Sequence, residues 1–205
     1  AVMDAFRGAL SYYGLPIPDE QRLRSYVGPP LWYSFGDLGY EGELLANLVT
    51  GYRSRYQDHY LDPEPFPGVI ELLHELHDAG VALATATSKQ APMALAQMEH
   101  LGLSSVFDVI AGATPDPASS KATVIHEALT RLKARGVDTS HPVIVGDSVW
   151  DVRGAQSAGI PVIGVGWGYA TEDGLDEADA VCETVEDLRT YLLDGVAKHA
   201  RDRDS

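Results

Sequence analysis

Pro142-Val-Ile-Val-Gly-Asp-Ser-Val-Trp-Asp-Val-Arg-Gly-Ala-Gln-Ser-Ala-Gly159 joins an apolar run to a helical repeat through two carboxylates. Val143, Ile144 and Val145 are β-branched, the composition of a strand buried on both faces. Gly146 breaks the run, and Asp147 follows where the strand's carboxyl end should reach the surface. From Ser148 the spacing changes, with Val152, Ala155 and Ala158 recurring at helical intervals. A helix over Ser148–Ala158 puts Asp151 one turn from Asp147, so both carboxylates can face one point. Such a pair suits Mg²⁺, which takes one or two carboxylates plus waters and substrate phosphate. An Asp that simply caps the helix in a solvated turn accounts for Asp147 equally well.

Working outward, apolar runs and helical stripes alternate on both sides of this stretch. Upstream come a helix stripe at Val69, Leu72, Leu73, Leu76 and Ala79, a strand over Val81–Ala86, a helix over Pro92–Leu101 and a strand over Val106–Ala111. A helix with Ile125, Ala128, Leu129 and Leu132 on one face, capped by Ser119 or Ser120, leads into Pro142. Downstream are strands over Ile160–Val165 and Asp179–Cys182, a helix from Val185, and a charged tail, Lys198–Ser205, expected to fray. Strands alternating with helices predict an α/β fold, a doubly wound parallel sheet. Residues 1–62 differ: four helical segments and no strand pattern predict a small all-helical domain. The Pro-rich connector Pro63-Glu-Pro-Phe-Pro-Gly68 separates it from an α/β core over residues 63–205.

Composition narrows the partners. The 205 residues carry 30 acidic and 15 basic side chains, a net charge of −15. That balance argues against nonspecific binding to nucleic acid or an anionic membrane surface. A small anionic substrate remains compatible, because a few local Lys and Arg outweigh the distant field. No apolar run approaches the roughly 20 residues of a membrane span. The single Cys182 forms no internal disulfide, which fits a reducing, cytoplasmic setting. Oligomeric state is not legible.

In open α/β sheets, ligands bind beyond the carboxyl ends of the strands. The first such end reads Thr85-Ala-Thr87-Ser88-Lys89, where a hydroxyl and backbone N–H groups can hold phosphate oxygens. A second, Ser119-Ser120-Lys121, opens a helix with a Lys against the positive end of the helix dipole, a mismatch that an anion would relieve. Taken singly, a capped turn and a solvated Lys explain them as well. Together, Thr87, Lys121 and the Asp147/Asp151 pair fall in order at three successive strand ends. This arrangement resembles the haloacid dehalogenase-like hydrolase superfamily, specifically its phosphatases. The helical segment, with Tyr26-Val-Gly-Pro-Pro-Leu-Trp-Tyr-Ser-Phe35, is similar to the cap of its phosphoglycolate phosphatase and 5′-nucleotidase branch.

The resemblance implies Mg²⁺-dependent hydrolysis of a small phosphate monoester, such as phosphoglycolate or a nucleoside monophosphate. Thr87, the Ser88 backbone and Lys121 would bind the phosphoryl oxygens. Lys121 would offset charge on the nucleophile, Asp147 would hold Mg²⁺, and Asp151 would orient Asp147 or the metal's water shell. Lys89 would steer the anion, and Pro29, Pro30 and Trp32 of the cap would border the substrate. Trp32, Tyr33 and Phe35 also read as helical core. Arg22 and Arg24 are the cap's candidate carboxylate partners, or else solvated helix charges.

The family's first motif, Asp-x-Asp-Gly-Thr on the first strand, is absent; Asp4 and Asp19 lie in or at helices and do not replace it. That strand is central in the fold, and unpaired neighbours cost about 1–3 kcal/mol per buried group. The expectation is therefore that the strand and its nucleophilic Asp lie upstream of Ala1. The Asp pair argues against a metal-free dehalogenase, and the lack of any Lys in residues 1–88 excludes a phosphonate hydrolase. A hexose-phosphate mutase and a catalytically inactive phosphate-binding module remain as alternatives.

Overall fold

The computed structural model describes residues 1–116, 118–170 and 173–203, with backbone alone for 196–203. Four helices come first: α1 (Val2–Tyr12), α2 (Glu20–Arg24), α3 (Leu31–Asp37) and α4 (Gly42–Tyr56). Their apolar faces meet in one cluster in which Phe6, Leu10, Leu23, Phe35 and Leu48 are fully buried. The Phe6 ring sits at its centre, 4.8 Å from Phe35 and 4.9 Å from Tyr52 between centroids. Trp32 packs against this cluster from its edge, so it contributes to the helical core.

Helices and parallel strands then alternate: α5 (Val69–Asp78), β1 (Ala84–Gln90), α6 (Ala91–His100), β2 (Val109–Ala113), α7 (Lys121–Ala134), β3 (Ile144–Gly146), α8 (Val149–Ala158), β4 (Val162–Val165), β5 (Ala180–Cys182) and α9 (Val185–Arg203). The layering follows from which strand residues point which way. Ile163 and Val165 of β4 meet Leu72 and Leu76 of α5 and Leu188 of α9 on one face. Val162 meets Val152 and Ala155 of α8 on the other. Val109 and Ala111 of β2 pack on Val124, Ala128 and Leu132 of α7. Apolar area on both faces of the strands makes the fold α/β and doubly wound.

Three expectations change. First, the second strand begins at Val109 instead of Val106, within two hydrogen-bonded sets of strands, β1–β2 and β3–β4–β5. Second, the Val143–Val145 run is not buried on both faces: Val143 is 41% and Val145 42% exposed. β3 is only three residues long and pairs with β4 alone, so one edge is open. Third, the first strand begins at Ala84 instead of Val81, because the Leu83 N–H is taken by the Asp108 carboxylate at 2.9 Å. The tail expected to fray is helical to Arg203, while Asp204 and Ser205 lie outside the described residues.

Candidate active site

The carboxyl end of β3 runs straight into α8, and the site is built on that junction. Ser148, not Asp147, is the N-cap: its side chain accepts from the Asp151 N–H. Asp147 is thereby left free of the capping role. The Asp151 carboxylate turns back over the junction and receives three donors. Lys121 Nζ lies 2.6 Å from Oδ1, the Ser148 hydroxyl donates to Oδ2 at 2.7 Å, and the Asp147 N–H donates to Oδ2 at 3.1 Å. The pair is well covered, with Lys121 19% and Asp151 10% exposed. Lys121 reaches it from the first position of α7, where Ser120 and Thr123 close a reciprocal capping box.

Three glycines make these approaches possible, and of them only Gly146 stood out in the sequence, as the residue that ends the apolar run. A Cβ at Gly146 would lie 2.1 Å from Asp151 Cβ. One at Gly154 would lie 2.3 Å from Lys121 Cγ, and one at Gly168 would lie 2.3 Å from Asp147 Cβ. Such distances are below any real contact between side chains. The Gly166-Trp-Gly168-Tyr169 segment was the available signal, since two glycines past a strand end mark close backbone approach.

The Asp147 carboxylate faces another neighbour. Its Oδ2 accepts the Tyr169 N–H at 3.1 Å, and Oδ1 has no protein hydrogen bond among the described residues. Burial first, and the Asp151 charge second, raise its carboxyl above the ordinary value, against the opposing pull of the Tyr169 N–H and Lys121. Both Asp151 oxygens have donors, whereas Asp147 Oδ1 has none among the described residues. The described residues contain no group of three His, Cys, Asp or Glu able to cage a metal. One carboxylate does fit Mg²⁺, which keeps several waters and takes its remaining oxygens from substrate phosphate.

Thr87, Ser88 and Lys89 lie within the end of β1 rather than past it. The register with β2 is regular to Thr87↔Gly112, then shifts before Gln90↔Ala113. Gly112 permits that irregular end, because a Cβ there would meet the Lys89 carbonyl oxygen at 2.6 Å. Thr87 Oγ1 accepts the Lys89 N–H at 3.1 Å, which leaves the hydroxyl proton to donate elsewhere. Lys89 Nζ bonds Gln97 and lies 5.5 Å over the Tyr56 ring, and burial pushes its ammonium below the usual value. No hydrogen bond or ion pair among the described residues joins this strand end to the Lys121–Asp151–Asp147 group. Thr87 stands near the carboxyl end of β1, and Asp147 directly follows β3.

The helical segment leans on the same end. A Cβ on Gly28 would lie 3.6 Å from Ser148 Oγ, and the Tyr33 and Trp150 rings meet at 4.5 Å. Pro29 is buried and Pro30 half-buried between these contacts. Asp4 pairs with Arg7 and Asp19 caps α2, so neither early Asp enters the site.

Residues 1–165 match the haloacid dehalogenase-like hydrolase family. The chain belongs to that family. Tyrosine-protein kinase PtkA of Mycobacterium tuberculosis is 35% identical over 197 residues, covering 93% of this chain. The chain spans 66% of that relative's length. A 5′-nucleotidase of Pseudomonas aeruginosa is 32% identical over 188 residues, 90% of this chain and 84% of the relative. Among solved haloacid dehalogenase-like folds, a predicted phosphatase from Clostridium acetobutylicum superposes with a TM-score of 0.85 at 26% identity. It covers 94% of this chain and 90% of its own.

Proposed function

We propose that this protein is a Mg²⁺-dependent phosphatase acting on a small phosphate monoester, of the phosphoglycolate or nucleoside monophosphate class. The observation that carries this reading is the Lys121–Asp151 ion pair at 2.6 Å, held beside an Asp147 whose Oδ1 is free. A cation and an outward carboxylate at the end of a parallel strand are what phosphoryl transfer needs: charge neutralisation and positioning. Asp147 would hold Mg²⁺, which when bound neutralises the phosphoryl oxygens and aligns them for attack.

This chain's own residues would do the following. Thr87 donates its free hydroxyl proton to one phosphoryl oxygen, and the Ser88 N–H takes another. Lys121, oriented by Asp151, faces the charge that builds on the group in transfer. Asp151 fixes the Asp147 backbone through its N–H bond, a supporting role for a metal ligand. The attacking group would be an Asp carboxylate, a role that falls to none of the residues described above. Its oxygen bonds to phosphorus as the ester oxygen departs and is protonated; water then cleaves the aspartyl-phosphate. Residues 1–62 would act as a cap, hinging at Pro63–Gly68 and excluding water in the first step. No described helix is long and apolar enough to cross a membrane. The lone, buried Cys182 supports a cytoplasmic setting.

The test is phosphate release from p-nitrophenyl phosphate by the full-length protein, with Mg²⁺ and with EDTA. Release that requires Mg²⁺ is expected; no release under either condition overturns the reading. A second reading rests on the similarity to PtkA: the phosphoryl group passes from a nucleotide to a tyrosine hydroxyl instead of to water. Stable label from γ-labelled ATP on a tyrosine, without phosphate release, would favour it.

A further inference from the structure

Helix α2 carries two arginines, and their surroundings differ sharply. Arg22 is spent inside the helical segment: its Nη2 lies 2.6 Å from the Asp37 carboxylate, and its Nε donates to the Tyr26 hydroxyl at 2.8 Å. Arg24 makes no ion pair among the described residues. Its guanidinium instead lies 5.5 Å over the ring of Tyr169, the residue whose N–H holds Asp147 Oδ2. Phe66 of the connector meets the same ring edge-on, at 6.2 Å between centroids.

The next cation along this rim repeats the pattern. Lys89 lies over the Tyr56 ring, also without an acidic partner. Burial, then the Tyr169 phenol, raise the Tyr56 hydroxyl above its ordinary value. Arg24 and Lys89 thus each rest on a tyrosine ring. Arg7, Arg22, Lys121 and Arg189 pair with acids, whereas Arg55 and Arg153 rest on rings as Arg24 and Lys89 do. What sets Arg24 apart is its ring: the Tyr169 backbone is bonded to Asp147, so this guanidinium stands next to the outlying carboxylate of the candidate site.

We propose that Arg24 reads a second anionic group on the substrate, a carboxylate or a second phosphate, beside the phosphoryl site. The proposal rests on the phosphatase reading and narrows its substrate class to phosphate monoesters that carry another anion. A guanidinium stacked on a ring still directs its N–H fork outward in its own plane, the geometry that grips carboxylate or phosphate with two bonds. Tyr169 serves as the shelf, and its backbone ties that shelf to Asp147. Both ends of a short substrate are then fixed against one element.

The experiment compares phosphoglycolate, glycol bisphosphate and ethyl phosphate, the last lacking the second anion, in the wild type, Arg24→Met, Arg24→Lys and Arg22→Met. In Arg24→Met the ratio of kcat/KM for phosphoglycolate to that for ethyl phosphate should fall about 10- to 100-fold, the worth of a hydrogen bond to a charged group. Arg24→Lys should recover part of it, and Arg22→Met should leave the ratio in place. A fall for phosphoglycolate alone assigns a carboxylate, and a fall for the bisphosphate alone assigns a phosphate. An unchanged ratio in Arg24→Met overturns the proposal while the phosphatase reading stands. If the wild type turns over none of the three yet releases phosphate from p-nitrophenyl phosphate, the proposal is overturned and the phosphatase reading stands; if it releases phosphate from none of the four, the phosphatase reading fails, and calorimetry decides the rest. Phosphoglycolate binding no tighter than inorganic phosphate, or equally tight in Arg24→Met, overturns the anion site as well.

Discussion

Asp151→Asn isolates the contact on which the candidate site is built. The carboxylate takes Lys121 on one oxygen, and the Ser148 hydroxyl and Asp147 N–H on the other. An asparagine of the same shape presents one oxygen and one NH₂. In one orientation its NH₂ opposes two donors; in the other it opposes the Lys121 ammonium. Both orientations remove the carboxylate charge from a lysine only 19% exposed. Breaking a buried pair on one side costs about 3–5 kcal/mol. Lys121 keeps some solvent access, which places the expected loss at the lower end, about 3 kcal/mol. Against a total stability of roughly 5–15 kcal/mol, that is easily measured. Urea unfolding at neutral pH, followed by circular dichroism and tryptophan fluorescence, gives the loss directly if the slope is unchanged. Adding Lys121→Met to the variant should cost less than the sum of the single changes, because the stranded charge is gone. A loss under about 1 kcal/mol, or strict additivity in the double variant, would refute the claim that Asp151 anchors Lys121.

Other outcomes follow from the same geometry. Mg²⁺ at about 100 times its dissociation constant should stabilise the wild type by about 2.7 kcal/mol in thermal unfolding. Asp147→Asn should abolish that gain, and an equal gain in the variant would place the metal elsewhere. Thr87→Val should lower kcat/KM about 10- to 100-fold through the lost hydroxyl proton, and cost about 0.5–1.5 kcal/mol of unfolding free energy because the Lys89 N–H loses its acceptor. Lys89→Met should stabilise the fold at neutral pH, since it removes a cation that burial disfavours and no acid compensates. The folded state holds the Lys89 proton less firmly than the unfolded chain does, so wild-type stability rises as pH climbs from the lowered value toward 10.5. The advantage of Lys89→Met should therefore shrink over that range; a constant advantage would point to packing alone.

Much of this was legible in residue patterns, because those patterns report local physics. The change from β-branched run to helical spacing at Gly146 located the β3–α8 junction, since side-chain period follows backbone geometry. The helical stripes of residues 1–60 marked one shared core around Phe6. Strand limits were less legible. Nothing local announced that Asp108 would claim the Leu83 N–H and delay β1, because that bond spans 25 positions in the chain.

The sequence by itself determined an α/β chain with a helical segment, and which residue types stand at the strand ends. Only the tertiary structure decided how those residues divide the work. It gave the helix cap to Ser148 and left Asp147 open, because the Asp151 carboxylate turned inward to meet Lys121 from a helix thirty positions away. It likewise separated Arg22 from Arg24, two neighbours of one residue type, by bringing Asp37 to one and Tyr169 to the other. Charge pairing depends on which distant element arrives, and residue spacing along the chain carries no record of that.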